Sequence, residues 1–313
     1  MGSMRVSSHD KIVFYSLALP TILVILILVL LFLTQSYHSY PIFSVQGLWS
    51  TYSVNRWYPT QDPPELWKEP HYSLLPTIWG TIYVSGIAVL LALPLSISLA
   101  VFIEELLPKR FRGYMSSIVD LMAGTPTILF GLWGLSFLGP LLKEFFMEPA
   151  HESLGFLPIF SCTPLSGTSI LTAGIMLAVM IVPFMVAVIQ ESYKAIPATY
   201  KEAAWSLGLT RFEYVRLNLS MIFPAVVSAV LLGLGRASSE TAAVALVVGN
   251  IYTLSFCMFS PTHTLTSIIA ANFGEVEMYP YMRNALFAGG LFLLTFGMIV
   301  NALGIIMLRR IRF

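Results

Sequence analysis

The charged residues of this chain are herded into a few short stretches, leaving charge-free runs at 12–55, 70–103, 121–142, 153–190, 217–235, 241–274 and 284–308. A helix needs about 20 apolar residues to cross the hydrocarbon core of a bilayer. Runs 217–235 and 241–274 are separated only by a short element holding Arg236 and Glu240, so the seven runs need not be seven crossings. Six spans are predicted, over 13–34, 73–104, 115–142, 167–191, 220–250 and 283–308. With 57% hydrophobic and 11% charged residues and a mean hydropathy of +0.79, the chain carries more apolar surface than a soluble core of this length needs. It reads as an all-α integral membrane protein.

The net charge of +1 identifies no partner, and nucleic acid is not expected, but the placement of the basic residues gives an orientation. With the N-terminus in the cytoplasm, Arg5, Lys11, Lys109, Arg110, Arg112, Lys194, Lys201, Arg211, Arg216, Arg309, Arg310 and Arg312 fall inside. Only Arg56, Lys68, Lys143 and Arg283 fall outside. That asymmetry follows the positive-inside rule and places both termini, 1–12 and 309–313, in the cytoplasm. The first run is long enough to span and lacks a small-residue cleavage site, so it is expected to stay as the first crossing. Met1 to Met4, MGSM, reads as an artificial leader ahead of a second start.

Residues 35–72 form an external cap rich in Trp, Tyr and Pro, which suits the water–lipid boundary and rules out a long helix. Pro94 and Pro126 predict kinked, inward-packed second and third spans. Glu104 and Glu105, with the basic PKRFRG that follows, read as a solvated turn that anchors topology. Asp120 is expected near the cytoplasmic end of the third span, close enough to water to act as a cap. Residues 143–166 are expected as an external loop, and 264–274 as a short re-entrant helix in the external segment before the last span. Cys162 and Cys257 both fall outside, where oxidation is possible, and spacing alone leaves their pairing open.

Two constellations carry functional information. The first lies between the fourth and fifth spans, where 190–219 reads as helix, turn, helix on the cytoplasmic side. Pro197 opens the first helix, Gly208 ends it and Thr210 caps the second. Glu202 and Trp205 share one helical face, and Ala203 with Ala204 keeps another thin enough to insert into a protein groove. The second is Arg236 and Glu240, spaced i and i+4, with Ser239 and Thr241 flanking the carboxylate and Gly233 and Gly235 thinning the helix just before the arginine. Ionisable groups inside a span are costly and usually functional. The pair either forms an internal salt bridge or lines a water-accessible path. In a path, Arg236 would attract an oxyanion and Glu240 would limit how tightly it is held.

The run Glu202-Ala203-Ala204 followed by Gly208 resembles the EAA loop of ABC-importer permeases. The segments GLGRASSETAAV and VVGN, together with AGTPTILFGLWG in the third span, resemble the C-type membrane subunit of phosphate ABC importers. The resemblance covers about residues 75–308. It implies a six-span type I importer permease with core 73–308, a cytoplasmic coupling loop over 192–219, and Glu202, Ala203, Ala204 and Gly208 docked on an ATPase subunit. It also implies a substrate path past Arg236, Ser239, Glu240 and Thr241, in a bacterial inner or plasma membrane. The implied partners are a second, A-type permease subunit, a pair of ATPase subunits, an external phosphate-binding protein and phosphate itself. One departure stands out: Leu219-Ser220-Met221 occupies the place of the family's Ile-x-Leu-Pro, with Pro224 three residues later, which leaves the exit of the second short helix open.

The chain has no phosphate-binding GxxxxGKS/T loop, HExxH, paired intramembrane aspartates or nucleophile elbow. No catalytic residue, metal site or cofactor is expected. A self-contained channel or secondary transporter would have no docking loop. The remaining rival is a permease for another oxyanion, sulfate, molybdate or tungstate.

Overall fold

The computed structural model describes residues 8–309, so the leader Met1–Met4 and the C-terminal stretch 310–313 lie outside the described residues. The described chain is almost entirely helical. Helix α1 runs Ser8–Gln46 and the short α2 Leu48–Ser53. The spans α3 (Leu75–Val101), α5 (Thr127–Leu154), α6 (Ile170–Lys194) and α12 (Met282–Leu308) are each long and apolar enough to cross a membrane, as is α1. Between them lie α4 (Lys109–Ala123), α7 (Ala198–Ser206), α8 (Arg211–Met221), α9 (Phe223–Ser238), α10 (Ala242–Val247) and α11 (Leu265–Asn272). A sixth crossing exists if α8 and α9, which bend by 64° at Ile222, are taken as one span.

Helix α6 is the hub, packed on α3 and α9, while α9 also packs on α12 and α1 lies mainly against α12. Lipid tails are as apolar as leucine, so close approach and dispersion hold such helices together rather than water exclusion. Gly174 of α6 meets Ile87 of α3 so closely that a Cβ there would come within 2.6 Å of the isoleucine Cγ2. Met176, Leu177, Ile181, Met185 and Ile189 fill the space along the same helix. Helix α1, by contrast, leaves residues 19–34 exposed and meets α12 through its later part, where Gln35 lies against Gly290 and Asn284 Nδ2 donates to the His38 carbonyl. That first span extends past the expected residue 34, to Gln46, with Pro41 accommodated within it.

The third span departs from expectation. Residues 115–142 are not one helix: α4 stops at Ala123, Gly124–Pro126 form a turn, and the crossing runs from Thr127 to Leu154. The proline cannot donate to a preceding turn and disfavours helix in the residue before it, so Pro126 starts a new helix instead of kinking an old one. Helix α4 is separate and amphipathic, with Arg112 and Val119 turned toward the bundle. Asp120 is exposed on it and does not lie in a span. The expected loop 143–166 is likewise helical as far as Leu154.

The cap over 47–74 packs on the loop before α11 and on the start of α12. Trp67 stands edge-on to Tyr72 and Tyr281, Tyr252 Oη donates to the Ser73 carbonyl at 2.7 Å, and Arg56 pairs with Glu69. Cys162 and Cys257 are joined in a disulfide that ties the loop before α6 to the loop after α10.

Candidate functional site

Helices α7 and α8 form a hairpin whose geometry follows from local chemistry. Pro197 caps α7, and Gly208 turns the chain with φ +75°, a conformation that costs little only without a Cβ. Thr210 then accepts from the Glu213 amide, and the Glu213 carboxylate accepts from the Thr210 amide at 2.8 Å, a complete capping box for α8. The Thr210 hydroxyl, which donates to the carboxylate at 2.7 Å, and then the Thr210 amide hold the exposed Glu213 carboxyl below its usual range. Within the hairpin Ala204 is buried and Trp205 lies 5.9 Å from Tyr214, centroid to centroid, whereas Glu202, Ala203 and Gly208 are exposed on the outer surface. The exit that the sequence left open is a bend: α8 ends at Met221, Ile222 leaves helical geometry, and Pro224 sits in the first turn of α9.

The predicted span 220–250 is broken a second time, between Arg236 and Ala242. Helix α9 ends at Ser238 because neighbouring hydroxyls compete for its last carbonyls: Ser238 Oγ and Ser239 Oγ both donate to the Gly235 carbonyl at 3.0 Å. Residues Ser239–Thr241 form the joint and α10 resumes at Ala242. Arg236 is therefore in the last turn of α9 and Glu240 beyond its end, so the two do not share one helical face. Neither forms an ion pair among the described residues, and the internal salt bridge that the spacing allowed is absent. Arg236, Ser239 and Thr241 are exposed and Glu240 is half-buried, its Oε1 3.4 Å from the Ala243 amide.

The joint is held from behind. Thr266 Oγ1 of α11 donates to the Glu240 carbonyl at 2.7 Å, and the small Gly235 backs onto the Asn301 amide of α12. The expected re-entrant helix is thus the element that fixes the break. Among the described residues the guanidinium has no partner in this chain. A charge at membrane depth costs about 2.5–3.5 kcal/mol on insertion scales, so its company must be water, an anion or another subunit.

A polar cluster at the hairpin end of the bundle was read from sequence as a solvated turn. Glu104 is instead buried, hydrogen-bonded by Gln190 Nε2 at 2.6 Å and 3.4 Å from Arg112 Nη1. Glu105 accepts from Lys201 Nζ at 2.9 Å. Two adjacent acids closing an apolar run, with bases just after them, were the signal available in the sequence.

An almost entirely helical bundle with a capped hairpin at one end and a broken helix carrying a cation unpaired among the described residues has the build of a membrane transport component. Residues 92–313 match the family described as binding-protein-dependent transport system inner membrane component. The chain belongs to that family. It is 41% identical over 300 residues, 96% of this chain and 94% of the other, to a Methanocaldococcus jannaschii protein named "Probable phosphate transport system permease protein PstC". A Pasteurella multocida "Phosphate transport system permease protein PstC" is 34% identical over 281 residues, 88% of this chain and 83% of that protein. Among solved structures, a bacterial ABC transporter involved in the import of the acidic polysaccharide alginate aligns with TM-score 0.56 at 18% identity. The alignment covers 97% of this chain and 98% of that one, and shows the fold.

Proposed function

We propose that this chain is one of two different membrane-spanning subunits of an ATP-driven phosphate importer. The observation that carries the reading is the unpaired, exposed Arg236 at a helix joint with Ser239, Glu240 and Thr241 beside it. Hydroxyls and a guanidinium are oxyanion donors, and the nearby carboxylate keeps the anion from being trapped. At neutral pH phosphate carries a P–OH that can donate to Glu240, and sulfate carries none, so the same carboxylate favours phosphate. The names of the relatives from Methanocaldococcus jannaschii and Pasteurella multocida support the substrate.

In this reading Glu202, Ala203 and Gly208 present the hairpin to one ATPase of a pair, with Ala204 packed inside it, and an A-type permease covers the open side of the path. An external binding protein delivers phosphate at the opposite mouth. The disulfide supports the orientation, because Cys162 and Cys257 lie at the end of α6 away from the hairpin and disulfides form mainly outside the reducing cytoplasm. In this reading the hairpin and both termini face the cytoplasm, with the chain in the cell membrane. Uptake of radiolabelled phosphate by the reconstituted complex, competed with sulfate, arsenate and molybdate, tests the assignment. Competition by sulfate or molybdate stronger than by unlabelled phosphate points to the alternative, a permease for another oxyanion.

A further inference from the structure

The end of α3 widens into a π-helical turn, Phe102–Leu106, that holds Glu104 and Glu105 against the bundle. Such turns are rare and are found frequently at functional sites, although α5 holds two more within its crossing. Two neighbouring carboxylates repel, and their removal from water is expensive unless cations and donors satisfy them. The satisfying groups come from three elements. Arg112 of α4 approaches Glu104 at 3.4 Å, and Gln190 and Lys194 of α6 approach it at 2.6 and 3.9 Å. Lys201 of α7 meets Glu105 at 2.9 Å, its ammonium 5.4 Å from the Tyr214 ring of α8.

The two halves of this cluster do different mechanical work. The Glu104 half joins α3, α4 and α6 to one another and stiffens the bundle end. The Glu105 half crosses to the hairpin. Helix α7 has no extensive helix-on-helix packing with any span. Among the described residues the direct polar link between α7 and α3 is this ion pair, one residue before the exposed Glu202, beside the indirect route through α8 and the Asn218–Tyr193 bond to α6.

We infer that the Glu105–Lys201 pair is the latch that carries movement of the docking helix into α3, tying ATP hydrolysis to opening of the path, with Glu104 as its rigid anchor. Both are positioning residues that act through the helices they join. The inference rests on the permease reading above. The pair is partly screened, with side-chain exposure 13% for Glu105 and 41% for Lys201, so its worth lies in direction of force more than in stability.

The test uses the reconstituted complex carrying E105Q, K201M or the reversed pair E105K/K201E, with phosphate uptake and ATP hydrolysis measured together. The singles should retain the ATPase and its turnover while uptake per ATP falls about five-fold or more, the lower end of usual coupling between sites. The reversed pair should restore most of that ratio, which a merely structural role would not do. An unchanged ratio in the singles overturns the inference, as does uptake falling in step with ATPase activity or no recovery on reversal. E105Q keeps the side chain's size and strands only a half-exposed lysine, so it decides alone if the others fail to assemble. Wild-type uptake of a different oxyanion would overturn the substrate assignment only, and the ratio is then read with that oxyanion.

Discussion

Asn218 Nδ2 donates to Tyr193 Oη at 2.9 Å, a buried bond that fastens the second helix of the hairpin to the end of the hub helix α6. The Asn218 Oδ1 has no partner, so this amide already depends on one bond. Tyr193→Phe leaves it wholly unpaired, and stability should fall by about 1–3 kcal/mol. The loss should appear as a lower Tm and as faster hydrogen exchange over residues 211–221. Adding Asn218→Leu to Tyr193→Phe should recover part of it, because two apolar groups leave nothing unsatisfied. A double variant less stable than the single would show that the bond is not what matters there.

Arg236→Gln should abolish phosphate uptake while the subunits still assemble. The guanidinium is exposed and unpaired among the described residues, so its removal strands no group of this chain and the subunit should stay folded. Normal uptake in the variant would remove Arg236 from the path. Glu240→Gln is the sharper probe of selectivity: sulfate should compete better against phosphate in it than in the parent, since the repelling charge is gone.

How much of this was legible before the structure depends on how far apart the deciding atoms lie. The hairpin was readable because its turn chemistry is local, with Gly208, Thr210 and Glu213 within one loop. The third span was not, since an apolar window averages across Gly124–Pro126. The polar arc of Lys109, Arg112, Ser116 and Asp120 was the overlooked sign of a separate amphipathic helix. The spacing of Arg236 and Glu240 was visible but their geometry was not, because it turns on where Ser238 and Ser239 stop the helix. Glu105 is paired with a residue 96 positions away, which no local pattern encodes.

The exposed position of Glu202 separates docking from folding. Glu202→Ala should leave the Tm of the isolated permease pair unchanged, because its side chain makes no bond among the described residues and only its backbone carbonyl is used, by Ser206. Co-purification with the ATPase should weaken. Retention of the ATPase at wild-type yield would place the docking contact elsewhere on the hairpin.

The Cys162–Cys257 disulfide closes a segment of sequence separation 95. In the chain-entropy account a loop of this size is worth about 4–5 kcal/mol, an upper bound for a protein whose unfolded helices stay in the bilayer. Cys162→Ser should shift mobility on non-reducing gels and lower the Tm in oxidising conditions, and should match the reduced parent. Identical mobility and Tm in the two proteins would mean that the bond does not form in the cell.

The last expectation concerns acid. His263 sits buried in the loop that leads into α11, with Nδ1 3.1 Å from Ser267 Oγ, and burial holds its imidazole down from 6.5 to about 4. Between those values the unfolded chain binds a proton that the folded chain refuses, so stability falls as pH drops from about 6.5 to about 4 and is fully retained above. His263→Gln removes that difference. Its Tm should decline less than the parent's across this window, although carboxylates titrate in both proteins. Because Ser267 and Thr266 belong to the helix that pins the Glu240 carbonyl, protonation should also loosen the joint beside Arg236. Parallel Tm profiles for the two proteins would show that the imidazole is reached by water and titrates normally.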